Sequence, residues 1–177
     1  MGHREHKEKS PEHVGCVVIT ASDTRTEETD ESGQLMLRLL RERGHRIVHY
    51  GILKDDPEKI AELVRSKLMD PEVSVILVNG GTGITERDST FEAIDGLLQK
   101  RLPGFGELFR HLSYLEIGPS AMLSRATAGM VDSRVVISVP GSTSAVRLAM
   151  EKLILPELGH LAYMASPNRP TGTSRGR

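Results

Sequence analysis

The sequence predicts an α/β fold of three layers, with a mainly parallel central sheet covered by helices on both faces. Three observations predict it. Short apolar, β-branched runs recur along the chain, segments with helical spacing alternate with them, and the runs end in polar loops, three of them rich in glycine or hydroxyl residues and one, LKDDPEK, acidic. Parallel strands need crossovers that carry helices over the sheet, so their strands are apolar on both faces instead of alternating.

The runs lie at residues 14–20, 47–53, 73–78 and 135–139, each too short for a helix. Between the first two, Leu35, Leu39 and Leu40 mark a helix that Gly44 would end. Asp30, Glu31 or Ser32 would cap its start. Ile60, Leu63, Val64 and Leu68 mark the next, with Pro57 in its first turn and Asp55 or Asp56 as cap. A third is expected over 91–99 and a last around Leu148, Leu153 and Leu155. The segment PGFGELFRHLSYLE reads as a loop followed by an amphipathic helix, with Phe105, Leu108, Phe109 and Leu112 in the core or in a subunit contact. Residues 111–132 fit no pattern well.

The 177 residues, 38% hydrophobic, suffice for one core, and no repeat or compositional break divides 13–165. Residues 1–12 are charged and lack aliphatic side chains after Met1; residues 166–177 are rich in Pro, Gly, Ser, Thr and Arg, so both ends are expected to be disordered tails. His3, His6 and His13 match no zinc spacing and are set aside.

Lys and Arg number 23 against 24 Asp and Glu, leaving no basic excess to hold a nucleic-acid backbone. The single cysteine, Cys16, sits in an apolar run and excludes an intramolecular disulfide. No apolar stretch approaches the roughly 20 residues that span a bilayer, and the N-terminus has no secretory hydrophobic segment. A cytoplasmic protein free of the membrane is expected.

In open parallel sheets ligands gather beyond the carboxyl ends of the strands. After the third run comes NGGTGITERDST, where Gly80, Gly81 and Gly83 let backbone N–H groups approach an anion. It is neither a dinucleotide fingerprint nor a Lys-bearing P-loop, and the glycines by themselves also suit a plain tight turn. Asp88 and Thr90 follow; a carboxylate beside a phosphate cradle suits Mg²⁺, although Asp88 could equally cap the next helix. If the second and third strands are neighbours, Asp55 and Asp88 could face one cleft. Two carboxylates repel a polyphosphate by about 1 kcal/mol or more per close pair, and a divalent cation between them reverses that sign. After the last strand, VPGSTSAV gives a second anion-friendly turn, which is also an ordinary capped helix.

Taken together, SDTR, DESG, GGTGITERDST, PGFGELFR, GPSAMLSRATAG and PGSTSAV resemble the MoaB/MogA family of molybdenum cofactor biosynthesis, related to the gephyrin G domain, over roughly residues 13–160. The resemblance implies a trimer or a pair of trimers that binds molybdopterin and, in active members, uses ATP and Mg²⁺ to adenylylate it. Some relatives of the MoaB type are instead carriers that leave adenylylation to another protein. Carried onto this sequence, the resemblance implies Asp55 and Asp88 as catalytic, Mg²⁺-holding acids. Gly80, Gly81, Thr82, Gly83, Pro140, Gly141 and Ser142 would hold nucleotide phosphates, and Asp23, Ser120, Ser124 and Arg125 would line the pterin side. Arg125 suits an anion because a guanidinium grips phosphate with two N–H groups, although a structural salt bridge would use it equally well.

Overall fold

Apolar runs buried on both faces form the centre of the computed structural model, which describes residues 10–85 and 88–167. Strands β1 (Gly15–Ala21), β2 (Arg46–Leu53), β3 (Val75–Asn79) and β6 (Arg134–Val139) are parallel, and β5 (Thr127–Val131) and β4 (Lys100–Arg101) continue the sheet antiparallel, in the order β2-β1-β3-β6-β5-β4. The helices are α1 (Glu31–Glu42), α2 (Pro57–Leu68), α3 (Thr90–Leu97), α4 (Pro103–Ile117), α5 (Thr143–Ala149) and α6 (Leu155–Ala165).

Alternate strand residues feed two cores. Cys16, Val18, Val75, Leu77, Val135 and Ile137 pack with Leu35, Met36 and Leu40 of α1, Phe109 of α4 and the α5–α6 side. Val17, Ile19, Ile76, Val78 and Val136 pack with Ile60 and Val64 of α2 and Ile94 of α3. Each large side chain fully buried here, such as Phe109, Ile76 or Leu77, contributes roughly 2 kcal/mol of transfer free energy. Burial pushes the Cys16 thiol up to about 12, so it behaves as a small hydrophobe without thiolate reactivity.

The capping alternatives resolve cleanly. Asp30 caps α1, accepting from the Gly33 N–H, and Gly44 follows the end of that helix. Asp56 caps α2 through the N–H groups of Glu58 and Lys59, with Pro57 in the first turn, which leaves Asp55 for another use.

Three elements differ from the sequence reading. The helix of PGFGELFR starts directly at Pro103 with no preceding loop, because proline suits the first helical turn. Its C-terminal end passes through a 3₁₀ segment, Gly118–Leu123, into β5, so the unplaced stretch 111–132 holds helix, 3₁₀ turn and strand. The last helical segment is wound in three pieces, α5, a π-turn over Met150–Ile154, and α6.

The expected tails fall largely outside the described residues. Of those that are described, Pro11 presses its carbonyl against α6 at Gly159, where an added Cβ would come within 2.4 Å of it. No helix among the described residues is long and apolar enough to cross a membrane.

Candidate functional site

Register brings three loops to one height. Thr20 of β1 pairs with Asn79 of β3, and Asn79 with Val139 of β6, so the chain leaves all three strands at the same level. The segments that follow form a cleft of about 430 Å³, whose walls include Ser22, Thr24 and Arg25 after β1, residues 80–83 and Asp88 after β3, and Pro140 and Gly141 after β6. Leu123 and Ser124 close it from the side of β5.

The floor is built by backbone contact. Gly80 holds φ +106°, and a Cβ there would lie 2.0 Å from the Ala21 carbonyl oxygen. Gly141 sits against Gly80, where a Cβ would come within 2.8 Å of its Cα. Side chains at these positions would force the strand ends apart, so glycine is needed for close approach and not merely for turning.

A polar network under the cleft fixes the first loop. The fully buried Asp30 accepts from Thr20 Oγ1 at 2.6 Å, Tyr50 OH at 2.8 Å, Gly33 N at 3.0 Å, Ser32 Oγ at 3.2 Å and Arg25 Nη1 at 3.3 Å. Asn79 donates to Thr20 Oγ1 at 2.9 Å, joining β3 to the set. Burial pushes the Asp30 carboxyl up, but the bonds from Thr20, Gly33, Tyr50 and Ser32 outweigh it and hold it below the ordinary aspartate value. Arg25 also donates to Ser32 Oγ and, at 3.0 Å, to the Gly141 carbonyl, tying the loop after β1 to the turn after β6.

Asp88 lines the cleft and caps no helix. Its Oδ2 accepts from Thr85 N at 3.0 Å and Thr85 Oγ1 at 2.5 Å, closing the loop on itself. The Thr85 hydroxyl bond, helped by the N–H groups of Thr85 and Gly83 and by nearby Arg125, lowers its pKa against the opposing effect of desolvation. It is therefore an anion at neutral pH.

Asp55 stands elsewhere. Strands β2 and β3 are not neighbours, since β1 runs between them. Asp55 crosses to the start of α3, where Oδ1 accepts from Thr90 Oγ1 at 2.9 Å and Ser89 Oγ at 3.1 Å. Its Oδ2 lies behind Gly81, where an added Cβ would come within 1.9 Å. Asp55 and Asp88 thus flank one glycine loop, but only Asp88 is on the cleft wall.

Arg125 is turned away from the cleft onto the back of the loop. It donates to the carbonyls of Thr82 at 3.0 Å and Asp88 at 3.1 Å and to that of Gly83, pairs with Glu92, and lies 4.9 Å over the Phe91 ring. What the guanidinium holds in this structure is the cradle itself. Four of its five N–H donors are engaged in this way, and it is not among the residues that line the cleft.

Of the other expected residues, Gly80, Gly81, Thr82, Gly83, Pro140, Gly141 and Ser124 border the cleft. Ser142 lies just outside and caps α5, accepting from the Ala145 N–H. Asp23 and Ser120 are exposed and stand off the cleft wall. The sequence reading missed Arg25, Ser22 and Thr24, and the supporting Asp30, Tyr50 and Asn79. Ser22, Thr24 and Arg25 all belong to the quoted SDTR motif, so position alone could have flagged them; the network beneath could not be found without the strand register.

The family model described as a probable molybdopterin binding domain matches residues 17–160. Molybdenum cofactor biosynthesis protein B of Bacillus cereus is 57% identical over 164 residues, covering 92% of this chain and 97% of the relative. A crystal structure of a molybdenum cofactor biosynthesis protein B, 57% identical, superposes with TM-score 0.85 over 89% of this chain and 98% of that one. The tungsten cofactor synthesizing protein MoaB of Pyrococcus furiosus, 37% identical, superposes with TM-score 0.79 over 88% of this chain and 99% of that one.

Proposed function

We infer the function from one premise: the chain belongs to the MoaB/MogA family of molybdenum cofactor biosynthesis proteins. Within that pathway we propose that it transfers the adenylyl group of ATP to molybdopterin. A terminal phosphate oxygen of molybdopterin attacks the α-phosphorus of ATP, the bond from that phosphorus to the α–β bridging oxygen breaks, and pyrophosphate leaves. No covalent enzyme intermediate is needed, so the protein's contribution is positioning and charge neutralisation.

The observation that carries this reading is the joining of three strand ends into one cleft, with a glycine-lined bend and an ionised carboxylate on the same wall. In it the 80–83 loop receives phosphate oxygens on its N–H groups, Arg125 keeps that loop in shape, and the turn at Pro140 and Gly141 forms the facing wall. Asp88 is the acid that would hold Mg²⁺, whose charge offsets that of the phosphates when bound. Asp55 fits this part less well, being engaged by Ser89 and Thr90 behind Gly81; its place in the reading is to orient the start of α3.

Asp88→Asn tests the assignment. With purified protein, molybdopterin, ATP and Mg²⁺, the variant should bind its ligands while adenylylated product forms about a hundredfold more slowly, the scale set by loss of one preorganised charge contact. Turnover equal to that of the unmodified protein would remove Asp88 from the chemistry.

The position of Asp55 favours a second reading, a carrier that binds molybdopterin without turnover. Pyrophosphate release separates the two: the carrier binds pterin and releases none.

Self-association belongs to the same proposal. Leu108, Tyr114 and Leu115 of α4, with Met122 and Leu123 beyond it, are each more than half exposed, and exposed apolar side chains grouped in one segment commonly mark a protein contact. Copies of the chain would cover it as a trimer or a pair of trimers. Mass measured in solution should be three or six times that of the chain, and a monomer at micromolar concentration would exclude this.

A further inference from the structure

Resting on the reading of the cleft as a phosphate site, we propose that Arg25 both binds the incoming phosphate and fixes the width of the cleft. Among the described residues, Arg25 and Asp88 are the charged side chains on the cleft wall, and Arg125, which the motifs put forward as the anion ligand, is committed to loop carbonyls and Glu92. Among the described residues, Arg25 is therefore the cation on the wall that would meet a bound anion.

Its geometry suits both tasks. One terminal nitrogen donates to Asp30 and Ser32, which anchors the guanidinium in the loop that bears it. The other donates to the Gly141 carbonyl across the cleft. A guanidinium has five N–H donors in a rigid fork, and these three bonds leave two for a ligand. The side chain keeps 28% of its surface exposed and lies on the cleft wall. The carboxylate of Asp30, buried and held by four donors besides Arg25, anchors one terminal nitrogen of the fork and would keep it anchored as a ligand enters. Lysine could supply the charge but not the simultaneous bonds to two loops.

The ligand chemistry is a phosphate, carried either by the nucleotide or by the pterin. Titration calorimetry of the full chain with MgATP, with molybdopterin and with adenosine distinguishes the sources. Arg25→Ala should weaken the phosphate-bearing ligand that it meets by roughly tenfold or more, the worth of one charge-assisted hydrogen bond, while adenosine affinity stays as in the unmodified protein. The ligand that weakens identifies the source. Arg25→Lys should fall between the two, and it supplies the comparison if the alanine variant does not fold.

Equal affinity of Arg25→Ala or Arg25→Lys for both phosphate ligands overturns the inference alone. So does an equal loss for adenosine, which would mean general collapse of the cleft. If the unmodified protein binds neither MgATP nor molybdopterin, the functional reading fails and this assignment fails with it.

Discussion

Asp30→Ala is expected to lower the stability of the fold by about 4 kcal/mol, the scale of breaking a buried charge network from one side. The substitution leaves Thr20, Tyr50 and Ser32 facing a void and frees Arg25 from its anchor. For a chain of this length that corresponds to a fall in melting temperature of roughly 8–16 °C. The sign of the pH dependence follows from the lowered pKa of Asp30. A carboxyl whose folded value lies below its unfolded value adds stability that is present above the unfolded value, near pH 4, and lost as pH falls through the folded one. Acid titration of stability should therefore be steeper below about pH 4 in the unmodified protein than in Asp30→Ala. Parallel curves for the two proteins would show that the network does not carry this term.

Gly80→Ala should be nearly as damaging, for a reason of backbone and not of charge. At φ +106° an L side chain is strained, and its Cβ would sit 2.0 Å from a carbonyl oxygen in β1 that cannot swing aside. Overpacking together with an unfavourable dihedral costs about 3 kcal/mol, and relief requires β1 and β3 to separate at the cleft floor. Denaturant melts should show the loss, and the surviving folded fraction should bind nucleotide weakly. An alanine variant with unchanged stability and affinity would mean that the loop is looser than its contacts indicate.

Much of the fold is legible in the sequence because burial on both faces leaves an unmistakable pattern. Runs such as the one containing Val17, Val18 and Ile19 carry no polar alternation, as strands covered on both faces do, and the helical segments between them favour a parallel sheet. The antiparallel edge is hidden for the opposite reason. Strand β4 is two exposed residues, Lys100 and Arg101, and β5 is interrupted by Gly129, where a Cβ would lie 2.3 Å from the Lys100 carbonyl. Glycines likewise disguise the start of α4, although Gly106 is small there because the Ala126 carbonyl lies where its Cβ would point.

The cleft is legible in part. Its glycines and Asp88 announce themselves by composition and motif. The pairing of Asp30 with Thr20 and Tyr50 depends on which strands adjoin, as does the separation of Asp55 from the cleft wall by Gly81. Arg125 shows the limit of reasoning from residue type: a guanidinium suits a phosphate and a carbonyl-rich loop equally, and only the fold decides between them.

Strand β5 runs against its neighbours, so its amino end, not its carboxyl end, reaches the cleft. Ser124 and Arg125 therefore arrive from the far direction, at the close of a 3₁₀ link that belongs to no strand of the parallel set. One boundary of the pocket can be lengthened, shortened or reshaped in that link while the strands that carry the glycine floor stay untouched. The same link runs into Arg125, which holds the carbonyls of Thr82, Gly83 and Asp88, so a change of length there would be felt by the glycine bend as well as by the side wall.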